Sequence, residues 1–173
     1  MSIFPDEYLH AARLLLADCE ERRLKICTAE SCTGGLLAAC LTEIAGSSAV
    51  FERAFITYSN RAKEDMLGVP GDMIADSGAV SESVAVAMAE GALAESRANI
   101  AIAITGVAGP GGGTRMKPVG TVHIACAREN HAILHESHLF LEDDRATIRL
   151  LSVGKALEML HKIAVQTKGG GIV

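Results

Sequence analysis

Residues 99–105 form a nearly continuous run of apolar and β-branched side chains, and this run constrains the fold more than any other segment. Its sequence is NIAIAIT, and a glycine-rich segment follows at once. A strand with two apolar faces is typical of a sheet that helices cover on both sides. The run therefore predicts an α/β fold with a buried central strand.

Helices and strands are predicted to alternate along the rest of the chain. Hydrophobic periodicity and capping residues, including Asn60 and Ser81 as N-caps, predict helices over 5–23, 33–44, 61–67, 82–97 and 145–163. Strands are predicted over 25–29, 50–58, 119–128 and 131–141, and the last two form a hairpin. This order predicts a three-layer α/β/α sandwich with a mixed, mostly parallel sheet and one antiparallel hairpin. Residues 1–165 are predicted to be one domain, and 166–173 a flexible glycine-rich tail.

The composition argues against several classes of protein. The 173 residues carry a formal net charge of −5 and no tryptophan, so neither a basic nucleic-acid face nor an aromatic stacking platform is expected. The mean hydropathy is +0.27, but the longest apolar runs are far shorter than the roughly 20 residues of a membrane-spanning helix. Five cysteines without C-x-x-C spacing, and no signal peptide, indicate reduced thiols. We expect a cytoplasmic protein with no nucleic-acid or membrane partner.

The segment 29–35 lies where the first predicted strand turns into a helix. Helix N-termini expose unpaired N–H groups and carry partial positive charge, which suits an anion or an oxyanion. Ser31 is therefore a candidate nucleophile. The alternatives are that Ser31 or Thr33 is the N-cap of the helix, or that Cys32 is the nucleophile, because helix N-termini stabilise thiolates.

Lys63 is the candidate base for Ser31, because no histidine lies near the relevant strand ends. With Asn60 as N-cap, Lys63 falls in the first turn of a helix, where the helix dipole and burial both favour the neutral amine. A neutral lysine can serve as a general base, as it does in Ser–Lys amidases. Tyr58 ends the preceding strand, where its hydroxyl could orient Lys63 or relay a proton. The alternatives are an exposed lysine and a half-buried strand tyrosine.

The segment 106–114 is too rich in glycine to form core structure, and it would let the backbone approach a ligand closely. It lacks the Gly-Lys-Ser/Thr ending of a P-loop and precedes a strand, which argues against ATP and dinucleotides. Arg145, at the start of the last helix, could bind a phosphate or form a solvated capping pair with Asp144. No carboxylate or cysteine completes a metal site with the histidines of the hairpin, so no metal and no cofactor is predicted.

The sequence resembles the C-terminal domain of the CinA family over most of its length. The segments that carry the resemblance are 29–35 (AESCTGG), 57–60 (TYSN) with Lys63, 78–81 (GAVS), 103–114 (AITGVAGPGGGT) and 117–122 (KPVGTV). The resemblance implies a nicotinamide-nucleotide amidase that converts nicotinamide mononucleotide to nicotinate mononucleotide and ammonia without a metal. The pyrophosphatase activity tied to the N-terminal domain of full-length CinA proteins is not expected.

The resemblance also implies roles for particular residues. Ser31 matches the nucleophile and Lys63 the base, with Tyr58 beside them. The positions that it assigns to substrate binding are Glu30, Thr33, Gly34, Gly35, Ser48, Thr105, Gly106, Gly109, Gly111, Gly112 and Arg145. The alternative function is a nucleotide-binding regulatory module with little or no activity. Apolar, alanine-rich helix surfaces suggest a homodimer.

Overall fold

The computed structural model describes residues 1–141 and 144–167, and a five-stranded sheet forms its centre. The elements follow along the chain as α1 (Asp6–Glu21), β1 (Ile26–Glu30), α2 (Leu36–Thr42), a 3₁₀ turn (Ser47–Ala49), β2 (Phe51–Ile56), α3 (Asn60–Leu67), α4 (Gly71–Ser77), α5 (Glu82–Ala94), β3 (Ile100–Gly106), β4 (Thr121–Arg128), β5 (Leu134–Leu139) and α6 (Arg145–Val165). Most of the predicted tail, residues 168–173, lies outside the described part.

The strand order is β2-β1-β3-β4-β5. β1 pairs in parallel with β2 and β3, and β4 and β5 add an antiparallel hairpin beyond β3. The predicted mixed sheet with one hairpin is therefore confirmed. Both hairpin strands are shorter than predicted. β4 begins at Thr121, after Gly120 with a φ of 93°, and β5 begins only at Leu134, after the turn at Asn130 with a φ of 60°.

The two faces of the sheet carry side chains of different size. On β3, Ile100, Ile102 and Ile104 pack in a core with α1, α2 and α6. The alternate residues, Ala101 and Ala103, pack against the other layer of α3, α4 and α5. This alternation follows from the two-residue period of a strand and confirms the three-layer α/β/α sandwich.

The alanine-rich face lets α5 approach its neighbours closely. A Cβ atom at Gly91 of α5 would lie 2.0 Å from the main-chain oxygen of Leu67, so only glycine fits where α5 crosses the end of α3. This contact holds α3, the helix that carries Lys63, against α5. No helix of residues 1–141 or 144–167 is long and apolar enough to span a membrane.

The sequence does not predict the short helix α4, because Gly68 and Pro70 are typical of the end of a helix. In the structure Pro70 is the N-cap residue of α4, a position that its fixed φ of −61° allows. The first helix also ends two residues earlier than predicted, at Glu21.

Candidate active site

A cavity of about 230 Å³ opens at the carboxyl ends of β1 and β3, the edge of an open α/β sheet where ligands bind. Six of the residues selected from the sequence line it: Ser31, Tyr58, Lys63, Thr105, Gly106 and Arg145. The lining also includes Cys32, the alternative nucleophile, and four residues that were not selected from the sequence: Asn60, Ala79, Val80 and Ala108.

Glu30 occupies the N-terminus of α2. Its side chain is fully buried, and it accepts hydrogen bonds from the N–H groups of Gly35, Leu37 and Ala38 at 2.9–3.1 Å. The hydroxyl of Thr28 donates to the same carboxylate. The anion at this helix N-terminus is therefore supplied by the chain itself, and neither Ser31 nor Thr33 caps the helix. Ser31 is left free for another role.

Ser31 and Lys63 lie in hydrogen-bonding contact. The Nζ atom of Lys63 is 3.0 Å from the Oγ atom of Ser31, 2.9 Å from the main-chain oxygen of Thr57 and 3.4 Å from that of Tyr58. Lys63 belongs to α3, which places its amine beside Ser31. This helix begins one residue earlier than predicted. The N-cap is Ser59 rather than Asn60, because the Ser59 hydroxyl accepts the N–H of Ala62 at 3.0 Å.

Lys63 is one of the largest fully buried side chains of the protein, with 1% of its surface exposed. Burial disfavours the ammonium form and lowers the pKa of Lys63 below its ordinary value. Within the described segments no carboxylate forms an ion pair with it. An ammonium donates to all three oxygens, whereas a neutral amine donates to the two carbonyl oxygens and turns its lone pair to the Ser31 hydroxyl. The surroundings thus suit an amine that accepts the Ser31 proton.

Cys32 is adjacent to Ser31 in sequence but differs in its chemistry. Its side chain is 6% exposed, and burial raises the pKa of the thiol to about 11. A thiol with that pKa is almost entirely protonated near neutral pH and is a weak nucleophile. The local environment therefore favours Ser31 over Cys32.

Gly106 brings the end of β3 next to Ser31. The Ser31 N–H donates to the oxygen of Ile104, but the oxygen of Ser31 accepts the N–H of Gly34. The next rung of the parallel ladder, from the Gly106 N–H to Ser31, is therefore not formed between these described residues. A Cβ atom at Gly106 would lie 2.7 Å from Val122 Cγ2, so the position requires glycine.

Arg145 bridges two loops at the rim of the cavity. It is exposed, and its guanidinium donates to the oxygen of Gly109 at 2.7 Å and to the hydroxyl of Tyr58 at 3.0 Å. A guanidinium has five N–H donors, so further donors are available to a ligand. Inside the cavity, the hydroxyl of Thr105 donates to the main-chain oxygen of Ala79 at 2.8 Å. This hydrogen bond ties β3 to the segment before α5.

Comparison with known proteins places this arrangement in a family. The sequence matches the CinA C-terminal domain over residues 9–164. The chain belongs to the CinA C-terminal domain family. A CinA-like protein from Syntrophobacter fumaroxidans is 53% identical over 143 residues, which are 83% of this chain and 33% of that protein. The chain spans about a third of the length of such relatives.

Another relative has a similar length. The nicotinamide-nucleotide amidohydrolase PncC of Escherichia coli (strain K12) is 49% identical over 145 residues, which cover 84% of this chain and 87% of that protein. Among solved structures, the competence/damage inducible protein CihA from Agrobacterium tumefaciens has a TM-score of 0.93 and 51% identity, and the match covers 96% of this chain and 100% of that chain.

Several residues that the family resemblance selected do not line the cavity of this CinA domain. Ser48 lies in the 3₁₀ turn before β2, at the amino ends of the parallel strands and thus at the opposite edge of the sheet. Gly111 and Gly112 are exposed, and Gly109 contributes its oxygen to Arg145. The others are Glu30, the last residue of β1, and three residues of the turn that leads into α2, which are Thr33, Gly34 and Gly35.

The structure of this CinA domain also reveals an arginine that the sequence argument missed. Arg149 of α6 donates to the main-chain oxygens of Cys32 and Thr33 at 3.0 and 2.9 Å. The four-residue spacing from Arg145 puts both arginines on one face of α6, which is the only sequence signal for this contact.

Proposed function

We propose that the chain hydrolyses the carboxamide of nicotinamide mononucleotide to nicotinate mononucleotide and ammonia, with Ser31 as nucleophile and Lys63 as general base. The observation that carries the proposal is the buried, carboxylate-free amine of Lys63, 3.0 Å from the Ser31 hydroxyl. The similarity to the nicotinamide-nucleotide amidohydrolase of E. coli suggests the substrate, and the cavity at the strand ends is compatible with it.

In the first step, the neutral Lys63 amine takes the proton of Ser31 as the Oγ atom attacks the carboxamide carbon. Negative charge then develops on the amide oxygen. The backbone N–H groups around Ser31 stabilise this oxyanion, which is a large term in acyl transfer. The candidate donors are the N–H groups of Cys32 and Gly106, two residues that line the cavity beside Ser31.

In the second step, the ammonium of Lys63 returns its proton to the leaving nitrogen, and ammonia departs from the acyl-enzyme. The main-chain oxygens of Thr57 and Tyr58 accept hydrogen bonds from Lys63 in both protonation states, so the amine need not move between steps. Water then attacks the acyl-enzyme with Lys63 again as the base.

The phosphate end of the substrate is assigned to the rim of the cavity. The cavity of about 230 Å³ is smaller than the roughly 300–1,000 Å³ of typical ligand sites, so it accommodates the ring and leaves the phosphate outside. Arg145 lies at that rim with free guanidinium donors and with the Tyr58 hydroxyl beside it. We assign the phosphate to Arg145.

The direct test is ammonia release by the purified protein from nicotinamide mononucleotide, nicotinamide riboside and nicotinamide. We expect turnover with the mononucleotide, and a lower kcat/KM for both compounds that lack the phosphate. Tight binding of the mononucleotide without ammonia release between pH 6 and 9 would instead indicate the regulatory module named above.

A further inference from the structure

Arg149 connects α6 to the turn that carries the nucleophile. Its Nε atom donates to the oxygen of Cys32, and a terminal nitrogen donates to the oxygen of Thr33. A Cβ atom at Gly34 would lie 3.6 Å from the same guanidinium, which therefore packs closely over the turn. Arg149 does not line the cavity, whereas Arg145, one turn earlier on α6, does.

A hydrogen-bonded chain of peptide groups leads from this guanidinium to the nucleophile. Arg149 donates to the oxygen of Thr33, and the N–H of the same peptide unit belongs to Gly34. That N–H donates to the oxygen of Ser31, whose peptide unit ends in the N–H of Cys32. In a trans peptide the N–H and C=O groups point in opposite directions. The positive charge on Arg149 therefore polarises the Cys32 N–H through two peptide units.

The N–H groups at the end of this chain have no other partner. Within the described segments, the N–H groups of Cys32 and Thr33 donate to no other residue, although the Cys32 N–H also faces its own sulfur. Arg149 donates directly to the oxygen of Cys32, whose peptide unit carries the Thr33 N–H. The residue after a serine nucleophile is a common source of an oxyanion-hole donor.

We propose that Arg149 is a positioning residue of the oxyanion hole: it fixes the peptide units of residues 31–34 and polarises their N–H groups without touching the substrate. This inference rests on the proposed amidase function. The positive charge of Arg149 stabilises the developing oxyanion of the transition state far more than it stabilises the neutral amide of the bound substrate. Loss of this charge should therefore lower kcat and leave KM nearly unchanged.

Arg128 offers a matched control at the other end of α6. Its guanidinium also binds main-chain oxygens, those of Ile163, Ala164 and Gln166 at 2.7–3.1 Å, far from the cavity. Each of the variants Arg149→Met and Arg128→Met removes a guanidinium that binds main-chain oxygens. Arg149 ties α6 to the turn after β1, and Arg128, on β4, ties the sheet to the end of α6. Both variants should lose stability in urea unfolding, but only one should lose turnover.

The test measures kcat and KM for ammonia release from nicotinamide mononucleotide in the wild type, Arg149→Met, Arg149→Lys and Arg128→Met. We expect kcat of Arg149→Met to fall about 10- to 100-fold, within the cost of one oxyanion donor, with KM changed less than about threefold. Arg149→Lys should be intermediate, because it keeps the charge but not the two-pronged geometry. Arg128→Met should keep the wild-type kcat.

Chemical rescue separates positioning from a purely structural role. Added guanidinium ion should raise the kcat of Arg149→Ala and leave Arg128→Ala unchanged. Wild-type kcat in Arg149→Met, an equal loss in Arg128→Met, or an effect confined to KM would overturn the proposal while leaving the amidase function intact. If Arg149→Met does not fold, Arg149→Lys decides by the same criteria. Absence of ammonia release from the wild type would overturn the amidase function and with it the role of Arg149.

Discussion

Replacing Lys63 by methionine should separate catalysis from stability. Methionine retains the unbranched apolar stem in a site that is 1% exposed, and it removes only the amine. The lost hydrogen bond leaves the Thr57 oxygen, 2.9 Å from Nζ, without its donor, which costs about 1–3 kcal/mol for a buried acceptor. Removing a buried amine that has no carboxylate partner offsets part of this cost. We therefore expect the free energy of unfolding to change by less than about 2 kcal/mol.

The effect of the same substitution on turnover should be far larger. Without Lys63, no group within hydrogen-bonding distance of Ser31 Oγ can take its proton, since Nζ at 3.0 Å is the only side-chain partner of that hydroxyl in the described chain. Loss of a general base costs about 10²–10⁴ in rate, and we expect kcat to fall by at least about 10³, or roughly 4 kcal/mol of transition-state stabilisation.

Steady-state ammonia release from nicotinamide mononucleotide and urea unfolding, measured on the same preparation, test both expectations. The double variant Ser31→Ala/Lys63→Met should lose little beyond either single variant, because residues that act as a unit are not additive. A kcat for Lys63→Met within tenfold of the wild type, in a folded protein, would refute the assignment of Lys63 as the base.

Four further predictions concern the Ser31–Lys63 pair and its surroundings. Because burial lowers the pKa of Lys63, kcat/KM should rise with pH through a midpoint below the ordinary lysine range, and a midpoint at the ordinary lysine value would contradict this. At pH values between the lowered pKa of Lys63 in the folded protein and its pKa in the unfolded chain, the unfolded chain binds more protons than the folded protein. The unfolding free energy should therefore rise with pH in this range, and the rise should be absent in Lys63→Met. Glu30→Gln should lower the unfolding free energy by about 1–3 kcal/mol, because its amide nitrogen cannot accept the N–H groups at the start of α2; urea unfolding that matches the wild type would show that the carboxylate is not needed. Cys32→Ala should keep kcat within about threefold, since the thiol with its pKa of about 11 is protonated; loss of activity on the scale of Ser31→Ala would point to Cys32.

Much of the candidate site follows from the order of elements. Strands that end at one edge of a parallel sheet bring their following loops together, so Ser31 after β1, Lys63 beyond β2 and Gly106 at the end of β3 were predicted to lie close to one another. The apolar run 99–105 predicted the buried central strand for a related reason, since both of its faces must be covered.

The contacts that were not predicted are those without a local signal. Glu30 was assigned to the substrate, but its carboxylate folds back onto the N–H groups of its own turn, which depends on the strand entering the helix at one particular angle. Arg149 lies 117 residues from Cys32 in the chain, and no periodicity relates the two. The N-cap of α3 is Ser59 and not Asn60. Serine and asparagine have similar capping propensities, so only the backbone conformation decides between these adjacent residues.

Ammonia release from nicotinamide mononucleotide by Ser31→Ala, measured beside the wild type, is the decisive test of Ser31 as the nucleophile. The substitution removes the Oγ atom that lies 3.0 Å from Lys63 Nζ and leaves the Glu30 contacts with α2 in place, so the fold should be retained. We expect kcat of Ser31→Ala to fall by at least about 10³ and its free energy of unfolding to equal that of the wild type. Ammonia release by Ser31→Ala at the wild-type rate would contradict the assignment of Ser31 as the nucleophile.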